Sequence, residues 1–309
     1  MNKSTKTKLA FTLIELLVVI AIIGILSALI VVGMNSTTRK ATVAKAQVFS
    51  NSLRNSLMGD LISEWRLDEK NGVSPNFTTP DSWKGNNSGT LYGSGGLQNF
   101  PQLQTAANCV SNGCFSFDGT DDYISFGTDD SFNIGSGESF TISLWAKSIE
   151  SKPSAIITKG RWSTGTIGWI LHNASNPQDL YFVFDDGTIH VEKQLYTGRI
   201  FDWTNFVLTT SSSNYTIYVN GRESYDLSRT FNDITNGDNL IIGANSVLTP
   251  SYFLNGFIDE VRIYDQVMPA SQIEQNYFVG LNKLLAKGNI GDSDYRDQVF
   301  TTSANYGKR

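Results

Sequence analysis

The chain has 309 residues, 40% of them hydrophobic, which is enough for a substantial core and argues against a disordered protein. With 27 glycines and only 17% charged residues, the composition suits a turn-rich β protein better than a helical bundle. The formal net charge of −5 argues against nucleic-acid binding, because neutralising phosphates requires a basic face.

A short basic segment over residues 1–10 precedes an apolar run that carries no charge from Leu16 to Val32. As a helix this run spans about 26 Å, close to the hydrocarbon thickness of a bilayer. The basic residues before it predict a cytoplasmic N-terminus and export of the rest of the chain. Three interpretations compete: a secretory signal, a plain single-span anchor, and a leader before an assembling helix. The absence of an Ala-x-Ala site at the end of the run disfavours the first.

Glu15, at the edge of the apolar run, needs a partner, because an ionisable group there costs about 2.5 to 3.5 kcal/mol on insertion scales. Residues 8–26, KLAFTLIELLVVIAIIGIL, resemble the cleavage and methylation signature of type IV pilins and type II secretion pseudopilins. The resemblance implies cleavage between Ala10 and Phe11, methylation of the new Phe11 amine, and extraction of the helix into a filament. Ala10 departs from the glycine that is usual there, but it is small, so cleavage is expected to be retained.

Cleavage would create an ammonium at Phe11, and Glu15 is the one acidic residue of the apolar segment able to neutralise it in a neighbouring subunit. We therefore predict that this pair sets the axial stagger between subunits. Apolar spacings of three and four extend the predicted helix over residues 11–60. The implied partners are other pilin subunits, a prepilin peptidase and an inner-membrane assembly platform. The implied location is a single membrane span first and an extracellular surface filament afterwards.

From Leu61 onward the apolar residues alternate, a period typical of β-strands. About a dozen short runs separated by Gly, Asn and Ser turns predict an antiparallel β-sandwich over residues 61–268. The strongest hairpin signal is Asn220 with Gly221, since a type I′ turn needs positive φ at both residues. Residues 269–309 are predicted to form a helix and a polar tail. The fold class is therefore α+β, with a long N-terminal hydrophobic α-helix, an antiparallel β-sandwich and a short C-terminal helix.

The C-terminal helix is predicted to open at Pro269 and to end at Gly288, with its apolar side chains on one face. These side chains are Ile273, Tyr277, Phe278, Leu281, Leu284 and Leu285. The polar tail that follows contains one candidate helical turn over residues 292–299.

Five short motifs in the predicted sandwich resemble the laminin-G-like, concanavalin A-like jelly roll. They are WRLDE at 65–69, FSFDGTDDYI at 115–124, FTISLWA at 140–146, YTIYVNG at 215–221 and GFIDEVRIY at 256–264. Together they cover roughly residues 61–280 in the order of the family. The resemblance implies the fold, but this fold hosts lectins, adhesion modules, calcium-dependent binders and glycosidases alike.

The carboxylates do not form the closely spaced pair that a retaining glycosidase needs. Asp259 and Glu260 are adjacent, so we expect them to point to opposite faces of a strand, and Asp185 with Asp186 lies at a strand end. The two histidines, His172 and His190, have no neighbouring nucleophile motif and are expected on strand surfaces. We therefore predict that the protein is not an enzyme.

Calcium is the one cofactor that the sequence suggests. Related jelly rolls often bind a structural ion between the first and the last strand, and the matching acids here are Asp68 and Asp259. Alternatively, these acids cap turns or pair with Arg66 and Arg262. A second set of acids is dense enough to suggest ion binding, although Asp-Gly turns alone account for some of them. This set is Asp118, Asp121, Asp122, Asp129 and Asp130.

The only two cysteines, Cys109 and Cys114, flank a turn-forming Asn-Gly, and in an exported domain a disulfide is favoured over two free thiols. Carbohydrate recognition would use aromatic platforms near loops. The candidates are Trp83, Trp162, Trp169, Tyr92 and Tyr252. A sandwich core needs aromatic residues too, so none of these is assigned to a ligand.

The leading hypothesis is a type IV pilus-like filament subunit that displays a lectin-like β-sandwich for adhesion to a surface or a glycan. One alternative is a pseudopilin of a type II secretion machine. The other is a membrane-anchored protein that binds or hydrolyses glycans.

Overall fold

The computed structural model describes residues 59–68, 78–93, 100–150, 152–160, 167–174, 179–196, 202–229, 232–246 and 250–303, together with Leu17, Ile20, Val48 and Ser52. These four single residues are helical and exposed. Gly59 and Asp60, at the end of the helix predicted over residues 11–60, form a turn, and the rest of that segment, with Phe11 and Glu15, lies outside the described residues. Within the described part of the chain, no helix combines the length and apolar character needed to cross a membrane.

Antiparallel strands make up most of the described chain, as the alternating sequence predicts. They are β1 (Leu61–Trp65), β2 (Thr78–Thr79), β3 (Gly89–Tyr92), β4 (Gln102–Thr105), β5 (Gly113–Asp118), β6 (Tyr123–Ser125), β7 (Phe140–Ser148), β8 (Ser154–Lys159), β9 (Gly168–Asn173), β10 (Leu180–Asp185), β11 (His190–Tyr196), β12 (Thr204–Ser211), β13 (Asn214–Val219), β14 (Arg222–Ser228), β15 (Leu240–Ile242) and β16 (Asn255–Tyr264). Two helices follow, α1 (Ala270–Lys287) and α2 (Asp292–Ser303).

The strands form two eight-stranded sheets. The first sheet has the order β14-β13-β12-β7-β16-β5-β4, with β1 paired to β16. The second has the order β11-β10-β9-β8-β15-β6-β3-β2. The chain passes from the first sheet to the second between β5 and β6, through residues 119–122. This arrangement confirms the predicted antiparallel sandwich.

The main core fills the space between the two sheets with aliphatic and aromatic side chains. Trp65 is fully buried there, its ring centroid 4.1 Å from that of Phe126, and its indole Nε1 donates to the carbonyl of Asn87 at 2.7 Å. The hairpin between β13 and β14 turns at Asn220 and Gly221 with φ of 52° and 73°. Both values are positive, as a type I′ turn requires.

Helix α1 covers the outer face of the first sheet. It follows Pro269 and ends at Gly288, whose φ of 77° places it in the left-handed region, as the sequence predicts. Tyr277 stacks on Trp145 with ring centroids 5.7 Å apart. Gly280 lies so close to Trp145 that a Cβ there would be 2.2 Å from the indole ring. Of the predicted apolar face, Ile273, Tyr277, Leu281 and Leu284 are buried.

Helix α2 is longer than the single turn expected in the polar tail. It spans 12 residues and has two acidic residues, Asp292 and Asp294, in its first turn. Their negative charges interact favourably with the positive end of the helix dipole. Tyr295 donates a hydrogen bond to Asn282 of α1 at 2.9 Å. The Tyr277 hydroxyl of α1 donates to Gln298 of α2. Helix α2 therefore contacts α1 through these two side chains.

Cys109 and Cys114 form a disulfide, as predicted, and close a short loop that packs against α1. Lys287 of α1 donates to the carbonyl of Cys109 at 3.1 Å, to that of Val110 at 3.2 Å and to that of Ser111. The loop therefore helps to fasten the helix to the sandwich.

Removing the disulfide with the double substitution Cys109→Ala/Cys114→Ala is expected to lower the free energy of unfolding by about 2 kcal/mol. The loss is modest because the closed loop is short, so the crosslink removes little entropy from the unfolded chain. Urea unfolding followed by tryptophan fluorescence measures it. Wild-type protein treated with a reductant should show the same shift, and an unchanged unfolding midpoint in the variant would contradict the expectation.

Candidate functional site

A group of charged side chains, here called the buried charge network, joins β1, β16 and α1. It consists of Glu64, Asp259, Glu260, Arg262, Lys283 and Lys287. Glu64 is fully buried and accepts from Arg262 Nε at 2.9 Å and from Arg66 Nε at 3.1 Å. Glu260 accepts from Arg262 and, at 3.2 Å, from Lys283 of α1. These ion pairs link the last strand to the first strand and to the helix.

Asp259 and Glu260 are both buried and lie on the same side of the sheet, which corrects our expectation that they point to opposite faces. Asp259 contacts Ser111 of the disulfide loop there, and Glu260 contacts Ser111 and Lys283. Glu260 has a φ of 53°, and the pairing between β16 and β7 shifts register between Asp259 and Arg262, so the strict alternation of a strand is broken. Burial and the neighbouring charge of Glu260 raise the pKa of Asp259 well above its usual value. Burial also acts to raise the pKa of Glu260, but Arg262 and Lys283 outweigh it and hold that pKa well below its ordinary value.

The two acids predicted to bind calcium, Asp68 and Asp259, both contact the disulfide loop. Asp68 Oδ2 accepts from Asn112 Nδ2 at 3.3 Å, and Asp259 Oδ2 accepts from the amide of Ser111 at 2.7 Å. Neither belongs to a set of three converging acidic or metal-ligating side chains among the described residues. The ammonium of Lys287 already binds the loop carbonyls beside them. Calcium between Asp68 and Asp259 stays a prediction.

A second acidic group occupies the turn between β5 and β6, residues 118–122, here called the acidic turn. Asp118, Asp121 and Asp122 each offer a carboxylate oxygen, and the three oxygens lie within 4.8 Å of one another. Asp118 Oδ1 accepts from the amide of Thr120 at 2.7 Å, and Asp122 Oδ2 accepts from the amide of Asp118 at 3.0 Å. Burial, with a smaller contribution from the charge of Asp118, raises the pKa of Asp122 to about 7.

The other two acids of the predicted dense set lie outside this turn. Asp129 accepts from the amide of Ser131 at 2.9 Å at the start of a 3-10 turn, and its pKa is lowered by hydrogen bonds with Ser131. Asp130 accepts from Asn133 at 3.3 Å. The Asp129 contact caps a turn, which is a role that the sequence pattern allows for some of the set.

The histidines differ from each other in environment. His172 is 1% exposed and stacks on Tyr181 with ring centroids 5.5 Å apart, so its predicted place on a strand surface is wrong. Burial lowers the pKa of His172 to about 4. His190 is partly exposed, and its Nδ1 lies 3.1 Å from a carboxylate oxygen of Asp185.

The buried His172 predicts a loss of stability in acid. Its pKa is about 4 in the folded chain and 6.5 as the reference, so the unfolded chain binds the proton more readily between these values. The contribution of His172 to the free energy of unfolding is therefore fully present above pH 6.5. It falls as the pH drops towards 4, by about 3 kcal/mol in total. His172→Phe keeps an aromatic ring against Tyr181 and is expected to flatten this part of the profile.

Urea unfolding at several pH values measures the effect. His190→Gln is the matched control, since it leaves His172 in place and should retain the acid-dependent loss. A His172→Phe profile as steep as that of the wild type would contradict the assignment.

The aromatic candidates divide into core and surface residues. Trp169 is buried in β9, and Trp162 lies outside the described residues, whereas Tyr252 and Tyr92 are 45% and 42% exposed. Tyr92 stacks on Tyr123, the residue directly after the acidic turn, with centroids 4.7 Å apart and planes 6° from parallel. Sequence reasoning missed Tyr123, although alternation in β6 places it on the outer face beside Tyr92 once β3 and β6 are paired. Trp83 is partly buried and packs against a hydrophobic cluster that contains Leu61.

The two sheets, their order and the covering helix define a jelly-roll domain of the lectin and glucanase type. The model of the concanavalin A-like lectin/glucanases superfamily matches residues 118–274, about half of the chain, and the chain belongs to this family. A second model, the prokaryotic N-terminal methylation motif, matches residues 5–31. The chain therefore joins a type IV pilin-like methylation motif to a concanavalin A-like domain. No curated protein sequence matches it.

Similar solved structures include toxin binding domains. The binding domain of Paraclostridial Mosquitocidal Protein 1 aligns with a TM-score of 0.55 and 15% identity over 73% of this chain and 53% of that one. The botulinum neurotoxin serotype D ligand binding domain in complex with N-acetylneuraminic acid aligns with a TM-score of 0.51 and 15% identity, over 74% and 53%. The botulinum neurotoxin serotype G binding domain aligns with a TM-score of 0.50 and 13% identity, over 72% of this chain and 51% of that one. This chain spans about half the length of these structures, and the likeness shows the fold.

Proposed function

We propose that this protein is a type IV pilus-like filament subunit whose lectin-like β-sandwich mediates adhesion to a surface or a glycan. The observation that carries the proposal is the combination of an N-terminal methylation motif over residues 5–31 with a jelly-roll domain in one chain. The motif supplies a route into a filament, and the sandwich supplies a bulky domain that stays outside it.

In this proposal the leader, residues 1–10, is removed by a prepilin peptidase, and Phe11 becomes the methylated terminus. Residues 11–60 hold the subunit in the membrane before assembly. An inner-membrane platform then transfers the subunit into a filament of pilin subunits on the cell surface. Glu15 of one subunit neutralises the Phe11 amine of the next, which fixes the stagger.

For the adhesive surface, the stacked pair Tyr92 and Tyr123 is the strongest aromatic candidate on the sandwich. Tyr92 is 42% exposed with one ring face against Tyr123, so its other face is positioned to stack on an apolar sugar face. Support of a general kind comes from the solved serotype D domain in complex with N-acetylneuraminic acid. This chain shares the fold of that domain, but it spans only about half of its length.

We propose a binding role over a hydrolytic one. A retaining glycosidase places two carboxylates about 5 Å apart facing a cleft, one of them as a free nucleophile. Glu260 and Glu64 are held by arginine or lysine partners beneath α1, and the acidic turn lies at a rim of the sandwich. The rival within filament proteins, a type II secretion pseudopilin, shares the N-terminal motif but needs no ligand.

The test is to shear surface filaments from cells and to determine the N-terminus of this protein by mass spectrometry. A filament protein that begins at methylated Phe11 supports the proposal, and its binding to a glycan array as intact filaments supports the adhesive role. Mature protein that retains Met1, or protein confined to the membrane fraction, would contradict it. Release of sugars from the array glycans would favour the hydrolytic alternative.

A further inference from the structure

The acidic turn brings three carboxyl groups together where the chain passes from one sheet to the other. Carboxylate oxygens of Asp118, Asp121 and Asp122 lie within 4.8 Å of one another. Ionised carboxylates at this separation repel one another, so the arrangement is unfavourable unless a cation lies among them. Lys152 Nζ donates to the backbone carbonyl of Gly119 in this turn at 2.9 Å and pairs with Glu150 at 3.0 Å.

Asp122 provides a second and independent observation. Its side chain is 3% exposed, and its Oδ2 accepts from the amide of Asp118. Its other oxygen, Oδ1, is buried and has no hydrogen-bond partner among the described residues. A buried carboxylate oxygen without a donor is costly, and a bound cation is a common way to satisfy one.

From this geometry we infer that the acidic turn is a calcium site whose protein ligands include carboxylate oxygens of Asp118, Asp121 and Asp122. Only oxygen ligands are gathered here, which suits a hard cation better than zinc. Oxygens bound to one calcium ion at 2.3 to 2.6 Å can lie up to about 5 Å apart. Three oxygens within 4.8 Å of one another therefore fit one calcium ion, with water completing the shell.

The inferred ion would have two consequences for the fold. The turn joins β5 of the first sheet to β6 of the second, so a bound ion would fasten the two sheets at this rim. Tyr123 follows Asp122 directly, so the ion would also rigidify the base of the Tyr92 and Tyr123 pair. The inference rests on the turn itself and does not depend on assembly into a filament.

The test uses full-length protein in detergent, stripped with EDTA and dialysed free of it. Calcium alone is titrated by calorimetry, and terbium is titrated separately, with luminescence excited through tyrosine because Tyr123 lies beside the site. A calcium Kd of about 10⁻⁴ to 10⁻³ M is expected, as in extracellular modules. Asp121→Asn, which keeps the shape of the side chain, is expected to weaken calcium binding at least tenfold. Asp129→Asn is the matched control and should bind as the wild type does.

Three results would overturn the inference. They are the absence of calcium heat in the wild type, equal binding by Asp121→Asn and Asp129→Asn, and loss of binding in Asp68→Asn with Asp121→Asn unaffected. The last result would move the ion to Asp68 and Asp259. Asp122 is buried, so its substitution could prevent folding; Asp118→Asn serves as the second variant, and its Asn oxygen still accepts from Thr120. It too is expected to bind calcium more weakly than the Asp129→Asn control.

Discussion

Replacing Glu15 with glutamine is expected to leave cells without filaments, although the chain is still cleaved before Phe11. Glutamine keeps the length of the side chain, but in the proposed filament it cannot neutralise the Phe11 ammonium of the neighbouring subunit. An uncompensated charge in the apolar filament core costs about 3 kcal/mol or more, which lowers association roughly 100-fold for each added subunit. Assembly adds many subunits in sequence, so the effect on filament length is compounded.

Electron microscopy of sheared material counts the filaments, and mass spectrometry of the membrane fraction identifies the N-terminus. Ser27→Ala is the matched control, since it changes a neutral residue of the same apolar run and should leave filaments intact. If Glu15→Gln cells carried normal filaments, the electrostatic account of subunit register would be wrong. Uncleaved Glu15→Gln protein would assign the residue to processing instead.

The sequence predicted most clearly those elements that depend on local chemistry. Asn220 with Gly221 turns as expected because few residues accept positive φ at two successive positions. Pro269 and Gly288 bound α1 for the same kind of local reason. The length of α2 was underestimated because its own residues favour a helix only weakly, and its contacts come from Asn282 and Tyr277 of α1.

The candidate sites were harder to predict because they depend on tertiary context. A period of two places Asp259 and Glu260 on opposite faces, and only the register shift against β7 brings both into the buried charge network. His172 has the alternation of a surface residue, but the outer face of its sheet is buried beside Tyr181. The sequence shows the high density of acidic residues near Asp118, but it does not show that Asp122 is buried.

Arg262→Met is expected to lower the free energy of unfolding by about 3 kcal/mol at neutral pH, the largest effect of a single substitution in the sandwich that we predict. Arg262 is the one cation that contacts both Glu64 and Glu260 among the described residues. Its removal leaves Glu64 with Arg66 and Glu260 with Lys283. Breaking a buried pair costs more than the pair contributes, because the remaining carboxylates stay desolvated.

The sign of the pH dependence distinguishes this electrostatic effect from simple loss of packing. In the wild type the pKa of Glu260 is held below its reference value of 4.5, so its stabilising contribution is present above pH 4.5 and is lost as the pH falls further. The gap between wild type and Arg262→Met should therefore be widest near neutrality and narrow in acid. Urea unfolding of both proteins at pH 7 and at pH 4 measures this gap at each pH.

Arg66→Met is the control: this arginine is 36% exposed and shares Glu64, so its removal should cost at most about 1 kcal/mol. Equal losses in the two variants, or a gap that does not change with pH, would mean that Arg262 acts through its aliphatic stem and not through its charge.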